Sequence, residues 1–173
     1  MRKAGGVLLT MLVLGAIGFG WASASPHPNV SGPHKLQAIE PYDQSSETDT
    51  DLGDPGLSQG DISTFHFEVY DPTGTVHLGY ETSQCVVGSV DQGIFTFDCS
   101  SDFVLTDGQI ETEGTLEGAV GLGPRGIRSL HGKTDLTEHF AITGGTDSYR
   151  NSRGQLDWGG GEEAIILSFV LIG

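Results

Sequence analysis

Residues 94–105, IFTFDCSSDFVL, alternate without interruption. Phe95, Phe97, Cys99, Ser101, Phe103 and Leu105 share one face, and Thr96, Asp98, Ser100, Asp102 and Thr106 share the other. A period of two belongs to a β-strand with one buried and one wet face, and a helix cannot satisfy it. The same period runs through ISTFHFEVY, where Phe65, Phe67 and Val69 oppose His66, Glu68 and Tyr70. It recurs in QIETEGTLEG, where Ile110 and Leu116 oppose Glu111, Glu113 and Glu117. DPTG, DQG and DG separate these runs and read as turns. TVHLGYETSQCVV, EHFAITG, GQLDW and AIILSFVLI complete the set, and no stretch carries a convincing amphipathic helix.

About eight strands in roughly 140 residues, joined hairpin to hairpin, make an all-β antiparallel barrel or a sandwich. Long strands with one apolar face favour an eight-stranded, calycin-like barrel, whose interior is just wide enough for one small ligand. Phe65, Phe67, Val69, Phe95, Phe97 and Phe103 are then the lumen side chains, and with Tyr42 and Tyr149 they are the candidates for contact with a bound molecule. The last strand, AIILSFVLI, is apolar on both faces. Its outer face needs a cover, and subunit contact in a homo-oligomer is the simplest one.

The N-terminus is not part of this pattern. Arg2 and Lys3 precede the apolar run GGVLLTMLVLGAIGFGW, and the small residues ASA follow it. That order is a signal peptide over 1–24 with cleavage after Ala24, and hence secretion; an uncleaved anchor helix is the alternative. Residues 25–34 are rich in Pro and polar side chains and read as disordered, which leaves a barrel domain over 35–173. No membrane contact is expected after cleavage. The chain carries 23 acids against 8 bases, a net charge of -15. A nucleic-acid partner is therefore not expected, since phosphate binding needs clustered Lys and Arg. The acids are dense in PYDQSSETDTDLGDPGLSQGD, so 41–60 reads as an acidic loop, either a solvated linker or a lid over a pocket.

Cys85 and Cys99 are equidistant from Gln92 in DQG. A hairpin folded there sets them opposite each other, and in an oxidising compartment the expected product is a disulfide. A catalytic thiol would require Cys85 to be free. His66, His77, His131 and His139 are scattered without ligand spacing, so no metal is expected. No motif supports Ser-His-Asp catalysis.

AITGGTDSYRNSRGQL, residues 141–156, places two arginines in an acidic chain. TGGT lacks the Gly-Lys-Ser/Thr ending of a phosphate loop, and no helix pattern follows it. Two readings stand. In one, Gly144, Gly145 and Gly154 supply unusual backbone angles between strands, Tyr149 plugs the barrel end, and Arg150 and Arg153 hold loop carbonyls or carboxylates. In the other, the arginines touch a ligand.

This stretch is similar to one near the C-terminal end of plant dirigent proteins and to the corresponding stretch of allene oxide cyclase. GDISTFHFEVYDPTG resembles the early barrel strand of that superfamily, and GYETSQCVV the strand that in the cyclases carries Gly-x-Cys-Val-Val. The resemblance extends from Lys35 to Gly173 and is nearest to exported actinobacterial members. It implies an eight-stranded barrel, dimeric or trimeric, with no cofactor, whose apolar lumen guides cyclisation or coupling of a small molecule. Barrels of this shape include [4+2] cyclases acting on polyketide chains; such work holds a flexible substrate near its reactive geometry.

KLQAIEPY matches the first cyclase strand, where a glutamate acts in the pocket, and Glu40 stands at that position. The resemblance makes Glu40 the candidate acid or base at the pocket mouth, with Arg150, Arg153, Tyr42 or Tyr149 as partners for its charge; a strand-end surface acid is the plainer reading. Phe67 stands where the cyclase has asparagine, a departure from allene oxide chemistry. For the paired aspartates of dirigent proteins the sequence offers Glu68, outward by alternation, and Asp71, in a turn. The expected function is a cofactor-independent cyclase or stereocontrol protein for a polyene, polyketide or phenolic substrate. The alternatives are a non-catalytic secreted barrel for a hydrophobic small molecule, and a filled-core structural or interaction protein.

Overall fold

The computed structural model describes residues 33–119 and 137–173. The expected signal peptide, all but the last two residues of the 25–34 segment, His131 and the expected loop LGPRGIRS lie outside them. Nine strands follow in order: β1 (His34–Pro41), β2 (Ser45–Thr50), β3 (Ile62–Tyr70), β4 (His77–Asp91), β5 (Ile94–Leu105), β6 (Gly108–Ala119), β7 (Thr137–Gly145), β8 (Arg153–Gly160) and β9 (Ala164–Ile172). They form one antiparallel sheet in the order β1-β9-β8-β7-β6-β5-β4-β3-β2, and a β1–β3 pairing at Ile39 and Tyr70 closes it. The result is an eight-stranded barrel with β2 lying outside it. Closure removes the sheet edges that would otherwise invite pairing with other chains.

The alternation read in the sequence sets the barrel's two faces. On β3, Ser63, Phe65, Phe67 and Val69 are buried, and the residues between them are not. On β5, Phe97, Cys99, Ser101 and Phe103 are buried. β9 sends Ile165, Leu167, Phe169 and Leu171 inward. Phe103 and Phe169 meet edge to face with ring centroids 5.0 Å apart, a preferred geometry for buried rings.

The stretch expected as one acidic loop, 41–60, divides. Residues 45–50, SSETDT, form β2 against the first half of β3, from Ser45 opposite Phe67 to Thr50 opposite Ile62. Its threonines suit a strand, and the register gives the first half of β3 a partner that β1 does not supply. A single helical turn, Tyr42–Gln44, makes the step from β1 to β2. The remaining loop, 51–61, is pinned by Asp61, which accepts from the backbone of Leu52 (2.8 Å) and Ser58 (2.6 Å). Those donors hold its carboxyl below the usual carboxylate range.

Cys85 and Cys99 sit directly opposite each other on β4 and β5 and are disulfide-bonded, a bond of oxidising environments. The hairpin turn is Gln92-Gly93, both with positive φ (50° and 82°), as a two-residue primed turn requires. The midpoint therefore lies one half-residue beyond Gln92. The register shift between Val87 and Ser89 absorbs the difference and restores the cysteine pairing.

The 141–156 stretch lies at the end of the barrel where β7 passes to β8. Tyr149 ends a single turn, Asp147–Tyr149, and packs on the core there. Of the three glycines, Gly154 has a positive φ (139°), and Gly144 and Gly145 do not. Those two are small for a different reason. A Cβ on Gly144 would stand 2.5 Å from the Glu111 carboxylate, and one on Gly145 would stand 2.5 Å from the Tyr149 carbonyl oxygen. The left-handed angles fall on Asp147 (49°) and Asn151 (65°).

Candidate functional site

Counting inward along β4 from Cys85, every second residue faces the lumen, which brings Ser83 and then Glu81 inside. The pairings extend this into rows. Glu81 lies between Phe67 of β3 and Phe103 of β5. One step along, Ser83, Ser101 and Thr112 are neighbours on β4, β5 and β6. Of these, Phe67, Glu81, Ser83 and Ser101 border a pocket enclosed by six consecutive strands, β3 to β8. Its lining is Phe65, Phe67, Glu81, Ser83, Cys85, Cys99, Ser101, Leu116, Phe140, Leu156 and Trp158, and its empty space, including the part open to solvent, is about 420 Å³. Phe140 and Trp158 meet edge to face, with ring centroids 6.4 Å apart. Gly114 makes room for this wall, since a Cβ there would come 2.5 Å from the Phe140 ring.

Two carboxyl groups stand in this apolar interior. Glu40 reaches it from β1, paired with Ile165 of β9, and is fully buried at 0% exposure. Glu81 is 3% exposed. Both Glu40 oxygens and Oε2 of Glu81 are buried without a hydrogen-bond partner in the structure. Burial pushes the Glu40 carboxyl well above the ordinary carboxylate range, and the charge of neighbouring Glu81 pushes it further. The two carboxyls approach without a well-formed hydrogen bond. A proton on Glu40 can make one to Glu81, which again favours the protonated form. Thr112 adds a buried hydroxyl that is likewise without a partner.

The expected placement of Glu40 at the pocket mouth is corrected: it borders Glu81 inside the barrel and does not line the pocket. The stagger of the barrel explains this, because the end of β1 meets the start of β9 and the end of β3 at once. Its expected cationic partners are elsewhere. Arg150 and Arg153 are exposed, and Arg153 donates to the Ser152 carbonyl at 2.8 Å. Among the described residues neither makes an ion pair with Glu40. Tyr42 is half-buried, with its hydroxyl donating to the Gly161 carbonyl at 3.3 Å, and its pKa is raised by burial first and by Glu40 third.

Of the expected lumen residues, Phe65 and Phe67 line the pocket. Val69, Phe97 and Phe103 are buried in the packed core outside its lining, and Phe95 and Tyr149 pack on that core. Cys85 and Cys99 line the pocket as a disulfide rather than as thiols. Glu68 is on the outer face, against Nε2 of His66 (3.3 Å) and of His77 (2.6 Å). Asp71 caps its turn by accepting from the backbone of Thr75 and Val76, each at 2.8 Å. Its carboxyl is held down to about 2, first by the Thr73 hydroxyl. Among the described residues no group of three or more His, Cys, Asp or Glu side chains is placed to hold a metal ion.

Glu81 was missed in the sequence, although its phase with Cys85 marks it as inward. So were Ser83, Leu116, Phe140, Leu156 and Trp158, which line the pocket from β4, β6, β7 and β8.

No family model and no curated protein matches the sequence. Solved structures do. A pyocyanin demethylase is similar over 80% of this chain and 99% of its own, at 22% identity and a TM-score of 0.59. A Diels-Alderase from Streptomyces koyangensis is similar over 83% of this chain and 69% of its own, at 15% identity and a TM-score of 0.59. A pterocarpan synthase dirigent protein covers 82% of this chain and 95% of its own, at 10% identity and a TM-score of 0.54. The barrel fold is thus one that this chain shares with a Diels-Alderase and a dirigent protein.

Proposed function

We propose that this chain is an exported barrel that binds an apolar small molecule in the β3–β8 pocket and guides its cyclisation. In this reading Glu81 takes a proton from the bound molecule, and the Glu40–Glu81 pair returns one at another atom. The net change is then an isomerisation, with no atom gained or lost and no cofactor required. The observation that carries the reading is the pair of buried carboxyls, one facing the pocket and the other fully enclosed, in a lumen otherwise lined mainly by apolar side chains. Buried, unpartnered carboxyls destabilise a fold, and sites where that cost persists are commonly sites of proton transfer. The similarity to a Diels-Alderase and a dirigent protein supports the same reading at the level of the barrel.

The packing favours a second reading, non-catalytic binding. Phe97, Phe103 and Phe169 are fully buried and fill much of the lumen. The enclosed space they leave is small, below the ~300–1,000 Å³ typical of small-molecule sites. Mass spectrometry of small molecules that copurify with the native protein separates the two. A cyclised compound together with its open isomer supports catalysis, and a single unchanged compound supports storage or transport. With a substrate in hand, Glu81→Gln and Glu40→Gln should each slow turnover by roughly 10² to 10⁴, as loss of a general acid or base does. Turnover of both variants within about threefold of the unsubstituted protein leaves the pair outside the chemistry.

A further inference from the structure

Among the described residues the polar side chains of the pocket are Glu81, Ser83, Ser101 and Trp158, none of them cationic. Glu81 presents a buried carboxyl with an unpartnered oxygen, and Ser83 and Ser101 present hydroxyls. No Lys, Arg or His lines the pocket among the described residues. Glu138 adds a half-buried carboxyl directly opposite Trp158 on the β7–β8 pairing, on the same face of the sheet. The walls are aromatic: Phe65, Phe67, Phe140 and Trp158. Aromatic faces attract cations, and a buried carboxylate attracts a cation or an N–H donor strongly because water does not screen it. An anion entering this space would lose its hydration and meet a like charge.

We propose that the pocket selects a compact heteroaromatic molecule that carries a positive charge or a protonated nitrogen, placed against Glu81, and that it rejects carboxylate-bearing substrates. The proposal rests on the reading of the pocket as a small-molecule site, and it adds a positive charge to the flat, largely apolar body of the ligand. The space enclosed by the walls is small, which suits a compact molecule and excludes a long acyl chain.

The test is calorimetric titration of the full chain with three probes of matched shape: N-methylquinolinium, naphthalene and 2-naphthoate. N-methylquinolinium should bind at least about tenfold more tightly than 2-naphthoate, a difference of about 1.4 kcal/mol. Because the net charge of -15 draws cations to any part of the surface, the titration is repeated at about 1 M salt, where the screening length is about 3 Å. A preference seated in the pocket survives that salt and collapses in Glu81→Gln, which keeps the side chain's size. A preference that vanishes in salt, or persists in Glu81→Gln, overturns the proposal. Should Glu81→Gln not fold, the salt series on the unsubstituted protein decides alone. Equal binding of naphthalene and N-methylquinolinium overturns the cation selectivity and leaves the pocket reading standing. If none of the three probes binds, the pocket reading falls as well.

Discussion

Glu40 is the residue whose environment departs furthest from water. Its raised pKa has a direct consequence for stability. Above its ordinary value near 4.5 the unfolded chain releases this proton while the folded chain keeps it. Folded protein then binds more protons than unfolded, so stability falls as pH rises, until the folded-state carboxyl itself ionises. The slope contributed by one such group is at most about 1.4 kcal/mol per pH unit. Urea unfolding across a pH series should show this decline, and Glu40→Gln should flatten it. A variant curve parallel to that of the unsubstituted protein would place Glu40 in water. Gly114 supports a second residue-scale expectation. Gly114→Ala puts a methyl group into the Phe140 ring, 2.5 Å away, so this ring of the pocket wall must shift. Overpacking of this kind costs about 1–3 kcal/mol. Ligand affinity should drop together with stability, and a drop in stability alone would show that Phe140 moves away from the pocket.

At the scale of elements, the β4–β5 hairpin carries both the disulfide and the pocket wall. The Cys85–Cys99 bridge closes a short loop, with a sequence separation of 14. Chain-entropy arguments assign about 3 kcal/mol to a loop of that length. The double variant Cys85→Ala, Cys99→Ala should lose stability of that order in chemical unfolding, and labelling of the denatured, unreduced protein should find no free thiol. The cysteine pairing was legible to within one residue from the turn signal DQG, and the register shift between Val87 and Ser89 brings the two cysteines opposite each other. The β2 strand was not legible. SSETDT is polar throughout and has no apolar face to betray it, and it is a strand because β3 offers it a pairing edge. Glu47 and Asp49 put charge on this outer strand, which discourages pairing with other chains.

The whole molecule presents an apolar patch on the outer face of β1 and β9. Ile166 and Ile172 are 51% and 57% exposed there, with Ile39 and Val170 half-buried on the same face. We propose that this face joins copies of the chain. Sedimentation at micromolar concentration should find a dimer or trimer, and Ile166→Glu should dissociate it. A monomeric unsubstituted protein would refute the contact and leave the patch as solvent-exposed surface.

The sequence alone determined the faces of the barrel. A period of two, repeated through strands joined by turn residues, fixes which side chains share a side and puts both cysteines on the inner one, while a register shift in β4 completes their pairing. It could not determine which inward residues meet across the lumen. Glu40 and Glu81 are separated by two strands' worth of chain and come together because the barrel closes β1 on β3 and β9 with a stagger. Nor could it divide the inward aromatics between packing and pocket: Phe65 and Phe97 obey the same alternation, yet the first lines the cavity and the second is lost in the core. Alternation is a local property of one strand. The distance between two side chains pointing into the same barrel depends on the closure, tilt and stagger of all eight strands, and only the tertiary structure sets those.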